Sequence, residues 1–255
     1  MNLLKHLISC LLCISLLIVV GGGCASKPTL RRFFDRESEY LNPPEQRLLV
    51  ETLQVIVLLE EYQDALENQD LKSLISCYSS GYSYYERGLD WHIERIQERY
   101  FALFEELSAS FWDIEIELIR KETGYWMRQE DFDWLRTRDM SSRPSGSYLI
   151  ALETPDGVVE MDLGEPCKIR PQRVNNPSPP GDSPRKVPVG AKRVTVRSSV
   201  DHGVERPMGE VSYRILLKGE LAGCEGSEVF TSSLEEKEIL LLEKEQGEWK
   251  IISQW

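Results

Sequence analysis

The sequence is poor in the residues from which most catalytic and metal sites are built. Its histidines are only His6, His92 and His202. No CxxC pair and no Cys/His cluster at zinc spacing occurs, which excludes a histidine-rich or zinc-ribbon metal centre. No glycine-rich phosphate loop and no Ser/His/Asp nucleophile motif is present, so neither a cofactor nor a metal is expected. Basic charge is also short. Thirty Lys and Arg face 42 Asp and Glu, a net charge of -12, and such a chain repels phosphate backbones, which removes nucleic acid from the expected partners. No apolar run reaches the roughly 20 residues needed to cross a bilayer as a helix. What remains is 255 residues, 41% hydrophobic and 28% charged, enough to bury one core of ordinary size.

Residues 1–24 read MNLLKHLISCLLCISLLIVVGGGC. One lysine, Lys5, precedes the mostly apolar stretch Leu7 to Val20, and three glycines and a cysteine follow. This is the three-part pattern of a secretory signal. The segment resembles a bacterial lipoprotein signal, which implies that residues 1–23 are removed and that Cys24 carries the lipid. The body is then expected outside the cytoplasm, anchored to a membrane through Cys24, in the periplasm or at the outer membrane if the envelope has two. Lys27, Arg31, Arg32 and Arg36 near the anchor are opposed by Asp35, Glu37 and Glu39, so attachment is expected to rest on lipid alone. Residues 24–44 read as a polar tether. Cys77, Cys167 and Cys224 are left over, and any pairing among them is open.

From Glu45 the residues Leu48, Thr52, Val55, Leu59, Tyr62 and Leu66 recur at helical spacing without Gly or Pro, which predicts a long amphipathic helix. Asp70 is placed to cap a second, with Leu71, Leu74, Ile75 and Tyr78 as its stripe. Asp90 is placed to cap a third, with Ile93, Ile96, Tyr100, Leu103, Phe104 and Leu107. The period then changes from 3.6 to 2: Trp112, Ile114, Ile116 and Leu118 alternate with acidic residues, as in a strand with one buried face. Pro155-Asp156-Gly157 separates residues 147–154 from 158–163 as a hairpin turn. Val211, Tyr213, Ile215 and Leu217 alternate again, and Gln246-Gly247 joins the last two strands, 238–245 and 248–255. Trp249, Ile251, Ser253 and Trp255 fall on one face of the last. Helices first and strands afterwards predict an α+β fold with the helices on one face of a bent antiparallel sheet.

Residues 166–207 break this rhythm. They hold eight of the 13 prolines, and between Lys168 and Arg206 nine basic residues face three acidic ones. The stretch reads as an inserted basic loop with one strand at Val194–Val200. Folding back on the acidic body is the favoured reading, and an arm for a partner or an anionic polymer is the other.

The run Leu59-Glu60-Glu61-Tyr62-Gln63-Asp64-Ala65-Leu66-Glu67-Asn68-Gln69-Asp70-Leu71-Lys72-Ser73-Leu74 and the closing Glu243-Lys244-Glu245-Gln246-Gly247-Glu248-Trp249-Lys250-Ile251-Ile252 resemble the NTF2-like (SnoaL-like) superfamily. The resemblance covers about residues 45–125 and 210–255. It implies a cone of curved antiparallel sheet wrapped on three N-terminal helices, enclosing a pocket, over residues 45–255 with the proline-rich insertion inside it. Ketosteroid isomerases of this superfamily place an oxyanion-stabilising tyrosine where Tyr62 falls and a carboxylate base near Glu86. Their late-strand carboxylic acid falls, counting back from Lys250, on Leu241 or Leu240, neither of which donates a proton.

Tyr62 with Glu86 is therefore an incomplete catalytic pair. Asp90 and His92 form the other acid/base candidate, though adjacent helical residues point apart. Rings better fit a ligand pocket, with Tyr62, Tyr78, Tyr84, Trp91, Trp126 and Tyr213 as its expected lining, and Trp249 in the core. The expectation is a lipid-anchored envelope protein whose NTF2-like domain binds a small apolar ligand or a protein partner without catalysis. Two alternatives stand beside it: an isomerase, dehydratase or hydrolase with a pocket acid/base, and a structural envelope protein that forms a homodimer.

Overall fold

The computed structural model describes residues 41–121, 129–138, 146–163, 172–174, 190–203, 205–221 and 229–255. Residues 1–40, with the expected signal segment and Cys24, and Trp126, Cys167, Cys224 and the proline clusters of the 166–207 stretch lie outside them.

Helix α1, Pro43–Glu67, begins in a capping box: the Asn42 side chain accepts from the Glu45 N–H and the Glu45 carboxylate accepts from the Asn42 N–H, each at 3.0 Å. A proline at the first helical position has no N–H to leave unpaired. Asp70 caps α2, Leu71–Ser76, accepting from the Lys72 and Ser73 N–H groups. Of the stripe expected there, Ile75 is exposed, while Leu74 and Tyr78 are buried. A small hairpin of β1, Ser83–Tyr84, and β2, Arg87–Gly88, follows. Helix α3, Leu89–Ile96, has Gly88 as its N-cap and carries Asp90 in its first turn, where the sequence pattern had Asp90 as the cap.

The third helix is also shorter than its apolar spacing suggests. A single π turn, Gln97–Phe101, ends it, and Phe104 to Leu107 already belong to β3, Phe104–Arg120. Leu107, Ala109 and Phe111 are buried on alternate positions, so a strand period had been hidden behind leucine and phenylalanine at helical spacing. At Asp113 (φ 51°) the strand bulges: Asp113 and Ile114 together face Tyr213 alone. The buried parity then switches from odd to even, to Ile114, Ile116 and Leu118.

The remaining elements are α4, Gln129–Thr137; β4, Tyr148–Thr154; β5, Gly157–Asp162; β6, Gln172–Val174; β7, Lys192–Val200; β8, Met208–Leu221; β9, Val229–Glu245; and β10, Glu248–Gln254. Apart from the β1/β2 hairpin, the strands form one large, curved, unclosed sheet in the order β10-β9-β8-β3-β7-β4-β5-β6. Both expected hairpins are present, and Gln246 and Gly247 join β9 to β10 with φ of 50° and 88°. Two positive φ values in a two-residue loop match the twist of the strands they join, and glycine takes one of them without strain.

The sheet departs from the expected antiparallel one in a single strand. β7 runs parallel to both of its neighbours, β3 and β4, so β3 and β4 point the same way. Parallel strands require a crossover of a dozen or more residues, and residues 121–147, which carry α4, supply it. The strand expected inside the basic stretch thus lies within the sheet, with Val194 and Val196 fully buried. Of the stretch's described cations, Arg197 pairs with Glu153 at 2.8 Å, Arg206 with Glu243 at 2.7 Å, and Lys192 donates to Gln63 at 3.3 Å.

α1 is buried on nearly every side, polar residues included. Glu51 lies against Arg47 (3.4 Å) and Arg120 of β3 (3.7 Å). Glu60 accepts from the Tyr148 hydroxyl at 2.6 Å, and Glu67 accepts from the Ala109 N–H at 2.9 Å. No helix among the described residues is long and apolar enough to cross a membrane.

α4 is fixed to the sheet by an ion pair between Asp131 and Lys244 of β9, with side-chain exposures of 0% and 1%. Gln54 of α1 donates to the same carboxylate at 3.4 Å. Removing one member of such a pair strands the other charge without water. Asp131→Ala or Lys244→Ala is expected to lower the unfolding free energy by about 3–5 kcal/mol, while the joint Asp131→Leu/Lys244→Met change is neutral or stabilising, as read from urea unfolding midpoints.

Candidate functional site

The sheet is irregular on both sides of Tyr213. Beside the Asp113 bulge, the β8–β9 register shifts between Tyr213 and Ile215. Tyr213 faces Glu238 directly across that ladder and donates its hydroxyl proton to Glu238 Oε2 at 2.8 Å. Glu238 shares its inward face with Leu240, Leu242 and Lys244, the alternate positions of β9 that are buried. Counting back from Lys250 had stopped at Leu241 or Leu240, short of this carboxyl. The alternation itself held the signal, since two residues before Leu240 it reaches Glu238.

A cleft of about 180 Å³ opens here between α1, α3 and the sheet. Tyr62, Tyr84, Trp91, Tyr100 and Trp255 supply its rings, Ile96, Leu107, Ile215 and Leu217 its aliphatic wall, and His92, Arg95, Arg99, Glu238 and Gln254 its polar groups. Trp255, expected on the inner face of the last strand with Trp249, is half exposed at this cleft, whereas Trp249 is buried in the core.

A hydrogen-bonded chain runs along one side. The Tyr78 hydroxyl is 3.0 Å from His92 Nε2 and 3.5 Å from Gln254 Oε1, and its one proton serves one of them. Gln254 Nε2 donates to Glu238 Oε2 at 3.1 Å. Both hydrogen bonds to Glu238 therefore use Oε2, and Oε1 accepts none among the described residues. Tyr62 stacks on Phe111 and meets Tyr78 edge-on, each at 6.1 Å. Burial, then the Glu238 charge, holds the Tyr62 phenol well above its ordinary value, so it stays protonated. Burial does the same for Tyr78 and Tyr213. The Tyr82 hydroxyl is buried with no partner among the described residues.

Of the residues expected to act together, Tyr62, Tyr84, Trp91 and His92 line the cleft. Tyr78 and Tyr213 lie directly behind it, bonded to His92 and Glu238. Glu86 is exposed in the β1/β2 turn (φ 64°) and does not line the cleft, because the hairpin turns it outward. Asp90 is exposed in the first turn of α3, while His92 is turned towards Tyr78. Neither the Tyr62/Glu86 nor the Asp90/His92 pair is thus brought together at the cleft. Among the described residues no group of three or more His, Cys, Asp or Glu side chains is placed to hold a metal ion, and Cys77 is a buried free thiol. No protein-family model matches the sequence, and no curated protein matches it.

Burial, then the charge of Arg95, lowers His92 from 6.5 to about 4, so its ring is neutral at pH 7. The unfolded chain binds the proton first as pH falls. The stability this neutral ring provides is therefore complete above about 6.5 and is lost towards pH 4. His92→Gln, which cannot take up the proton, is expected to lack about 1–2 kcal/mol of that loss, measured as the difference between the two proteins' unfolding free energies from pH 7 to pH 4.

Proposed function

We propose that this chain is a lipid-anchored extracytoplasmic lipoprotein, held by Cys24, whose NTF2-like domain binds a small, largely apolar molecule in the cleft beside Glu238. The observation that carries the ligand reading is the composition of that cleft: ring and aliphatic walls that exclude water, with a few fixed polar groups to orient what enters. Its volume of about 180 Å³ is below the roughly 300–1,000 Å³ of drug-sized sites, which limits the occupant to a compact molecule. The anchor rests on the signal pattern and on Cys24 following it. The cone assignment is supported by three helices ahead of the first long strand, a curved sheet and the Gln246-Gly247 closing hairpin.

Glu238 favours a second reading, proton transfer. A carboxylate with one oxygen unbonded among the described residues, near a protonated Tyr62 phenol, pairs a base with a hydrogen-bond donor for an enolate oxygen. The binding reading expects no catalysed exchange of α-protons of small ketones into deuterated water. Exchange by the wild-type protein that Glu238→Gln abolishes would replace binding by catalysis.

For the anchor, cells expressing the full chain are expected to incorporate radiolabelled palmitate into it and to retain it in the membrane fraction. Cys24→Ser should lose the label and appear in the soluble extracytoplasmic fraction, and unchanged labelling of that variant would contradict the assignment. For the cleft, protein extracted gently from membranes is expected to carry a small molecule by native mass spectrometry, and Tyr62→Trp, which fills the space, should lose it.

A further inference from the structure

Among the described residues six arginines have a carboxylate within 4 Å, whereas Arg87, Arg95, Arg99, Arg136 and Arg193 have none, and of these five only Arg95 is not exposed. Arg47 and Arg120 lie on Glu51, Arg138 on Glu61 and Glu248, Arg197 on Glu153, Arg206 on Glu243 and Arg214 near Asp113. Arg95 and Arg99, both in the cleft lining, have no ion pair among the described residues. Arg95 is half-buried, and its guanidinium lies 5.2 Å from the centroid of the Trp91 ring. A half-buried guanidinium that forgoes a carboxylate keeps its five donors for something else.

The spacing places these groups together. His92, Arg95 and Arg99 follow one another at three and four residues along α3 and the π turn, so they lie on one stripe facing the cleft. The charged residues of the lining are Arg95, Arg99 and Glu238, which leaves one positive charge in excess once His92 is neutral. Glu238 makes no ion pair with either arginine among the described residues: its Oε2 accepts hydrogen bonds from Tyr213 and Gln254, and its Oε1 accepts none from the described residues.

We propose that the ligand of this cleft is a compact organic monoanion, its carboxylate held by Arg95 and Arg99, its apolar body against Trp91, Ile96 and Leu217, and an O–H or N–H donated to Glu238 Oε1. This rests on the ligand-binding reading and adds the ligand's chemical class. Arginine suits such a head group because its planar fork meets a carboxylate with two parallel hydrogen bonds. A neutral apolar molecule would leave a half-buried guanidinium without an anion, and a cation would meet the excess positive charge.

The test is calorimetric titration of the full mature protein at pH 7 with three probes: 3-(4-hydroxyphenyl)propanoate, its methyl ester, and 4-methylphenol. The acid is expected to bind at least about tenfold more tightly than its ester. Arg95→Gln is expected to weaken the acid about tenfold and leave the ester within about twofold. Arg99→Gln, at an exposed position that leaves the fold untouched, should act in the same direction if Arg95→Gln lowers expression. An ester that binds as tightly as the acid, or arginine variants that leave the acid unchanged, would overturn the monoanion while leaving a small-ligand cleft in place. Failure of all three probes to bind at about 10 mM would overturn the ligand reading itself, and the monoanion with it.

Discussion

Everything in this structure depends on keeping a 25-residue helix out of water. Surface helices normally bury one stripe and leave the opposite face to solvent. α1 buries Leu48 to Leu59 without a gap, so Glu51, Thr52 and Gln54 enter the interior along with the aliphatics. Buried polar groups are costly unless bonded, and most of those on α1 find a partner: Thr52 donates to the Leu48 carbonyl and Gln54 Nε2 to Asp131, while Gln54 Oε1 has no partner among the described residues. Arg120 of β3 reaches Glu51, Tyr148 of β4 reaches Glu60, and the Ala109 backbone of β3 reaches Glu67. These contacts fix the helix against the curved sheet in both translation and rotation.

That fixed position decides where Tyr62 stands. One turn past Leu58, its ring stacks on Phe111 ahead of the Asp113 bulge, and the bulge in turn places Tyr213 opposite Glu238. The irregular register on both sides of Tyr213 bends the sheet where a flat one would close onto the helix. The small β1/β2 hairpin and α3 bring Tyr84, Trp91 and His92 over the remaining gap. The cleft is thus a consequence of a rigid helix meeting a sheet that bends away from it.

Much of this was legible in the residues. The capping position Asp70, the hairpin turns at Pro155-Asp156-Gly157 and Gln246-Gly247, and the strands around them follow from local chemistry, which acts over a few residues. The parallel placement of β7 was not legible, because alternation of apolar residues records faces and not the direction of a neighbouring strand. α4 was hidden by its composition: QEDFDWLRT has too few apolar residues to display a stripe, and its hold comes from Asp131 meeting Lys244 more than 100 residues away. At the site, Tyr62, Tyr84, Trp91 and His92 were recognisable as ring-bearing positions near a helix face. Glu238 was missed because the count stopped at Leu241 or Leu240, one alternation short of it, and Glu86 and Asp90 remained weak candidates because sequence proximity does not record which way a tight hairpin or the first turn of a helix directs a side chain.

The cleft beside Glu238 is the centre of the functional reading, and its contents are the most direct thing to measure. A crystal structure of the protein purified from its native source, without added small molecules, would report that density. The prediction is a compact organic molecule touching the Arg95 guanidinium and Glu238. A cleft closed by its own side chains, or one holding ordered water alone, would contradict it.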